Sequence, residues 1–170
     1  MKVCVARQMT EPNFVVNPYT EPVYFYTRTM PFFELSNFCP PGLEEYGVYW
    51  PTVEHFFQGQ KFSDPAFRER IRRAATPKDA REHGRSRAYL IRQDWDDVRE
   101  SVMLFALRQK FRKGQVRQVL LSTGDRPLIE ASPLDYFWGA GQDGTGLNRL
   151  GLLLEQVRAE ARREEDTSIR

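Results

Sequence analysis

Trp50-Pro51-Thr52-Val53-Glu54-His55-Phe56-Phe57-Gln58-Gly59-Gln60-Lys61-Phe62 is the stretch on which the reading of this chain turns. Thr52, behind Pro51, is a natural N-cap, and the pattern predicts a helix from there to about Phe62. On such a helix Glu54, Gln58 and Lys61 fall at i, i+4 and i+7 and share one face. At about 1.5 Å rise per residue, Glu54 and Lys61 stand roughly 10 Å apart along the axis. That gap can hold a sugar between a carboxylate and an amine. Val53, Phe56 and Phe57 border the polar stripe, so it need not face open water. On spacing alone, an ordinary solvated face is the simpler reading.

Working outward, Asp64-Pro65 and Thr76-Pro77 each set an N-cap residue before a proline at the first helical position, predicting helices over 65–74 and 77–84. The longest helix is expected from about Asp94 to Arg112. It carries Trp95, Val98, Val102, Phe105 and Ala106 at helical spacing, with Gly114 ending it. A shorter helix fits 115–122. A last one sets Leu147, Leu150, Leu154, Val157 and Ala161 on one face, then frays into charged residues. Val23–Tyr26, Val48–Trp50 and Pro127–Glu130 read as short strands. Residues 39–47, with Pro40, Pro41, Gly42 and Gly47, read as a turn cluster. The expectation is a single α+β domain, mainly α-helical, over 23–162. An irregular arm, 1–22, punctuated by Pro12, Pro18 and Pro22, precedes it, and a charged tail, 163–170, follows.

Composition bounds the function. A chain of 170 residues closes one good core but not two. The net charge of +2 argues against a dedicated nucleic-acid scaffold, though a local basic patch is compatible with it. No stretch reaches the roughly 18 apolar residues of a membrane span, and the first seven residues lack a signal-peptide core. Cys4 and Cys39 form no metal or redox spacing, which suits a reducing compartment. A cytoplasmic location is the expectation.

A second constellation runs from Asp135 to Gly151 and holds four glycines between 139 and 146, just before a helix. Gly139, Gly144 and Gly146 can let backbone approach a ligand, and a helix N-terminus favours a phosphate. The Walker sequence is missing, and no doubly wound strand pattern surrounds the loop. A plain connecting loop fits equally well. Arg85, in His83-Gly84-Arg85, can pair a phosphate. Trp95 can stack on a base, although a lone tryptophan more often fills a core. His55 and His83 lack partners at ligand spacing, so no metal site is expected.

Read together, Phe33-Glu34-Leu35-Ser36-Asn37-Phe38, the Trp50–Phe62 stretch, His83-Gly84-Arg85, Leu120-Leu121-Ser122-Thr123-Gly124-Asp125, Ile129-Glu130 and the Asp135–Gly151 run resemble the NADAR, or YbiA-like, family over about residues 24–160. The resemblance implies a compact, mainly helical YbiA-like fold and N-glycosidase activity. Some members act on early riboflavin intermediates that carry a phosphoribosylamino group. Others remove ADP-ribose from the amino group of guanine in nucleic acid, sometimes as the antitoxin to an ADP-ribosylating toxin. Carried over by motif, the family's functional positions are Glu54, Lys61, Trp95, Asp135, Trp138 and Asn148.

Both substrate types put an exocyclic nitrogen on ribose C1, and breaking that bond builds positive charge on the sugar. Glu54 and Asp135 are the candidate carboxylates, one to stabilise that charge and one to protonate the departing nitrogen. Lys61 is either a nucleophile that captures an opened imine as a Schiff base, or a ligand for a phosphate or hydroxyl. Neither route needs a metal or organic cofactor. Arg85, Trp95, Trp138, Gly139, Gly144, Gly146 and Asn148 are the expected binding residues. Guanine-linked ADP-ribose ranks first as substrate because Trp95, Trp138, Arg85 and Arg149 exceed what one phosphoribosyl group needs. A non-catalytic ADP-ribose reader and a toxin-neutralising protein that works by contact are the rivals from other classes.

Overall fold

Three short polar side chains start three helices as their sequence grammar demands. Thr52 accepts the His55 N–H to open α1 (Val53–Gly59). Asp64 accepts that of Phe67 for α2 (Pro65–Arg72), and Thr76 that of Asp79 for α3 (Pro77–His83). These assignments come from a computed structural model that describes residues 21–168. All but the last two residues of the expected arm lie outside the described residues.

The first helix is shorter than the pattern predicts. Gly59 packs against the Trp50 ring and Gln60 caps the helix, after which the Lys61 N–H turns back to Gln58 O at 3.4 Å. Phe62 then leaves to bridge Ile91 and pack edge-on against Phe67, ring centroids 4.8 Å apart. A glycine is a poor helix former, and Phe62 gains more by entering the small cluster of Phe67, Ile71 and Ala80 than by extending the helix. Lys61 therefore reaches the shared face from a turn rather than from an i+7 position.

The other helices are α4 (Trp95–Lys110), α5 (Gly114–Ser122) and α6 (Arg149–Ser168). The longest is α6, with 20 residues against 16 in α4, which corrects the expectation for the Asp94 helix. The charged residues from 163 do not fray: helix continues to Ser168, with Arg117 pairing Glu164 and Glu165 alongside. Leu147 precedes α6 and is 59% exposed; Leu150, Leu153, Leu154, Val157 and Ala161 form its buried stripe.

Strand pairing joins the two ends of the domain. β1 (Val23–Phe25) runs parallel to β4 (Leu128–Glu130), with Val23 opposite Leu128 and Phe25 opposite Glu130. β2 (Leu43–Glu45) arises inside the expected turn cluster and pairs as a hairpin with β3 (Val48–Trp50), the strand expected there. Its two-residue turn, Tyr46 at φ 48° and Gly47 at φ 77°, has the left-handed geometry that matches strand twist. Leu43-Glu44-Glu45 hides as a strand because glutamate is depleted in strands.

The main core joins Phe25, Leu35, Phe56, Leu107, Phe111, Leu120, Leu128 and Leu154, all buried. Lys110 is buried among them. Its Nζ donates to the carbonyls of Ser36 and Cys39, both at 2.8 Å, and burial pushes the amine down to about 7. That contact anchors the segment after a 3-10 turn (Phe33–Leu35), which forms one wall of the cavity described next.

Candidate active site

A cavity of about 750 Å³ is walled by α1, by α3, by segment 26–40 and by the residues from β4 to Trp138. Its size lies within the roughly 300–1,000 Å³ of small-molecule sites. Glu54, Gln58 and Phe57 enter from α1, Lys61 from the turn beyond it, and Arg81 from α3, with Arg85 close after it. Glu130 enters from the end of β4, and Asp135 and Trp138 from the loop that follows.

Each carboxyl has a different environment. Glu54 is buried, and its Oε1 accepts from Gln58 Nε2 at 2.8 Å. Burial raises the Glu54 carboxyl above its ordinary range, and the amide of Gln58, with Arg81 and Lys61, pulls the other way. Asp135 Oδ1 accepts the N–H groups of Phe137 at 3.0 Å and Trp138 at 2.7 Å. Asp135 Oδ2 stands 3.8 Å from Arg81. Glu130 is raised to about 8, first by burial and then by Asp135 and Glu54.

Lys61 sits beside these acids with few neutral partners. Its Nζ reaches Gly84 O at 3.4 Å and lies about 6 Å from the rings of Phe57 and Trp95 (5.9 and 6.0 Å). Burial lowers the amine below its usual value; Glu54 opposes that shift, while Arg85 and Arg81 add to it. The direction is the one an amine nucleophile needs. His55, next to Glu54, is structural: its Nε2 donates to Ala74 O at 3.2 Å, which leaves Nδ1 to accept from Thr52 Oγ1 at 2.8 Å.

The structure brings Glu54, Lys61, Arg85, Asp135 and Trp138 to one cavity. It places other expected residues elsewhere. Trp95 is only 8% exposed, packs on Phe57 at 5.0 Å, and belongs to the core. Arg149 pairs with Glu100 through two contacts rather than facing the cavity.

Gly139, Gly144, Gly146 and Asn148, expected to cradle a phosphate, do not line this cavity. The N–H groups at the start of α6 are already taken. Asn148 donates to Gly139 O (3.1 Å), Arg149 to Phe137 O (3.0 Å) and Leu150 to Trp138 O (3.1 Å). Gly146 likewise donates to Ala140 O at 2.7 Å. Donors spent on the loop's own carbonyls cannot hold an anion. The Asn148 side chain instead donates to Leu128 O at 2.8 Å and accepts from Glu130 N at 3.0 Å, fixing the loop to β4.

Glu130 and Arg81 are cavity residues the sequence reading did not single out. Glu130 looks like the solvent side of a short strand, and Arg81 like a helix-surface cation. The signals available were the Ile129-Glu130 motif and position: Glu130 ends a strand just before the Asp135 loop, and Arg81 lies four residues before Arg85. Among the described residues no group of three His, Cys, Asp or Glu side chains is placed to hold a metal, and no helix is long and apolar enough to cross a membrane.

The NADAR domain matches residues 24–162. An N-glycosidase of Nostoc punctiforme is 44% identical over 144 residues, covering 82% of this chain and 92% of that protein. The N-glycosidase YbiA of Escherichia coli is 42% identical over 137 residues, covering 80% and 86%. Its NMR structure superposes with a TM-score of 0.78, covering 85% of this chain and 87% of that one, at 40% identity. A riboflavin biosynthesis protein of Vibrio vulnificus is 40% identical over 145 residues, 85% of this chain but 40% of that longer protein. The chain belongs to the NADAR family. It is a hydrolase acting on N-glycosyl bonds, with the compact α+β fold of YbiA.

Proposed function

We propose that this chain hydrolyses the bond between C1 of a phosphoribosyl group and the exocyclic amino nitrogen of a pyrimidine. The observation that carries this reading is one cavity holding three carboxyls, Glu54, Glu130 and Asp135, together with four cations, Arg28, Lys61, Arg81 and Arg85. As the C1–N bond breaks, positive charge grows on the sugar, and a fixed carboxylate beside it lowers the barrier. Asp135 is held in place for this role by the N–H groups of Phe137 and Trp138, with Arg81 3.8 Å from its Oδ2. Arg81 and Arg85 suit the phosphate. Trp138, edge-on to Phe57 at 5.3 Å, offers the base an apolar wall.

The sequence ranked guanine-linked ADP-ribose first on four residues, and only Trp138 and Arg85 of those line the cavity. A single phosphoribosyl group needs no more than these. The riboflavin biosynthesis name of the Vibrio relative supports the same order. ADP-ribose on guanine is the second reading. Tyr26 and Arg28 favour it, a further ring and cation on the same cavity that adenine and a pyrophosphate would use. The test is kcat/KM in one buffer for the phosphoribosylamino-pyrimidine and for a guanine-ADP-ribosylated oligonucleotide. A tenfold preference for the pyrimidine is expected. A tenfold preference for the oligonucleotide assigns the second reading, and binding of either with no released product makes the chain a reader.

A further inference from the structure

The three cavity carboxyls are supported unequally. Asp135 accepts two backbone N–H groups and faces Arg81, and Glu54 accepts the Gln58 amide. Glu130 has its backbone fully engaged, its N–H to Asn148 Oδ1 at 3.0 Å and its carbonyl accepting from Ala140 at 2.9 Å. Its side-chain Oε2, closed off from solvent, meets no hydrogen-bond partner. Asp135 and Glu54 repel a charge there, and Arg81 is the cation that counters them. An ionised carboxylate left without donors in such a place costs far more than a neutral acid, which carries no charge to solvate.

We propose that Glu130 is the general acid of this site: it enters the reaction as a neutral carboxylic acid and gives its proton to the nitrogen leaving ribose C1. The inference rests on the N-glycosidase reading above. The electron pair of the C1–N bond goes to nitrogen, which takes the Glu130 proton and departs as the free amine. Water oxygen bonds to C1. One water proton stays on the new hydroxyl and the other restores Glu130, so the cycle closes without a co-reactant. Glu54 and Asp135 are left for the sugar side, where negative charge is wanted. The hydrogen bonds divide the labour: Glu54 and Asp135 accept donors, whereas Glu130 Oε2 accepts none. At about 8, the Glu130 carboxyl keeps its proton at neutral pH.

The test combines kinetics with a titration that needs no substrate. kcat is measured against pH for the natural chain and Glu130→Gln on the phosphoribosylamino-pyrimidine and the ADP-ribosylated oligonucleotide. In parallel, the Glu130 carboxyl is followed by ¹³C NMR, its signal assigned by its loss in Glu130→Gln. The expected result is a fall in kcat of about 100-fold or more, as for a general acid, with KM within threefold. The natural chain should lose kcat above pH about 8, where the carboxyl itself titrates. A folded Glu130→Gln with kcat within threefold of the natural chain, or a carboxyl that titrates below pH 5, overturns the proposal. If Glu130→Gln does not fold, the alkaline limb and the titration decide, and absence of either overturns it. A natural chain that releases no sugar from either substrate instead brings down the N-glycosidase reading, and the acid role with it.

Discussion

Gln58 Nε2 donates to Glu54 Oε1 at 2.8 Å, one helical turn away on α1, and so fixes which way the buried carboxyl points. The pair sets the first expectation. Glu54→Gln keeps the volume and removes the charge, and turnover should fall by about 10²–10⁴ if Glu54 is the carboxylate that serves the sugar. Product release in steady state, with thermal melting as the folding control, measures it. Near-natural turnover in a folded variant removes Glu54 from the chemistry.

Gly84 leaves the space that Gln58 occupies. A Cβ on Gly84 would meet Gln58 Oε1 and stand 2.7 Å from Cδ, so Gly84→Ala must push the carboxamide off Glu54. Loss of one hydrogen bond to a charged or buried group is worth about 1–3 kcal/mol. Gly84→Ala should therefore lower kcat at least tenfold while the melting temperature drops by only a few degrees. An unchanged kcat would mean the orientation of Glu54 does not depend on Gln58.

Lys61 has one long hydrogen bond, and burial lowers its amine, the direction a nucleophile needs. Borohydride added during turnover separates its two roles: a sugar adduct on the Lys61 peptide, seen by mass spectrometry, means the amine takes C1 as an imine before water does. No adduct, together with an active Lys61→Arg, assigns Lys61 to substrate binding.

Gly144 sits at φ 75° with nothing near its missing Cβ. Gly144→Ala should cost about 1 kcal/mol of stability from backbone strain alone. KM for the phosphorylated substrate should stay unchanged, because the loop's amides already bond within the loop. A KM raised severalfold would restore the loop as a phosphate site.

Glu130 also makes a substrate-free prediction. Its carboxyl is raised from 4.5 to about 8, so between those values the unfolded chain releases a proton the folded chain keeps. Its stabilising contribution is complete below about pH 4.5 and is lost as pH rises through about 8. The melting temperature of Glu130→Gln minus that of the natural chain should therefore rise across this window. The difference cancels other titrating groups, His55 and Lys110 among them. A flat difference means Glu130 ionises normally in the fold.

Helix starts were legible because Thr52, Asp64 and Thr76 act within three residues of themselves. Helix ends were less so: Lys61 leaves α1 because Phe62 is drawn to a cluster built from α2 and α3, which no local pattern reveals. The same division holds for the site. Glu54 and Asp135 were readable as motif carboxylates. Glu130, although inside the Ile129-Glu130 motif, was not readable as a site acid, since its seclusion comes from packing between β1, the Asn148 side chain and the loop beyond. Trp95 and Arg149 lie off the cavity lining for the converse reason: a ring prefers a core and a guanidinium a nearby carboxylate, here Phe57 with its neighbours and Glu100.

The parallel pairing of β1 with β4 also sets a timetable for the newborn chain. Val23 leaves the ribosome long before its partner Leu128. At roughly 5–20 residues per second, the first strand waits for seconds before any edge exists to receive it. The helices from α1 to α3 can associate in that interval, since their contacts are near in sequence. Val23 and Phe25, both buried once folded, meanwhile present apolar faces and unpaired backbone to other chains or to a chaperone. The corner of the molecule that seats Glu130 is thus the last to close, and the first strand of the domain is where synthesis is most open to misassembly.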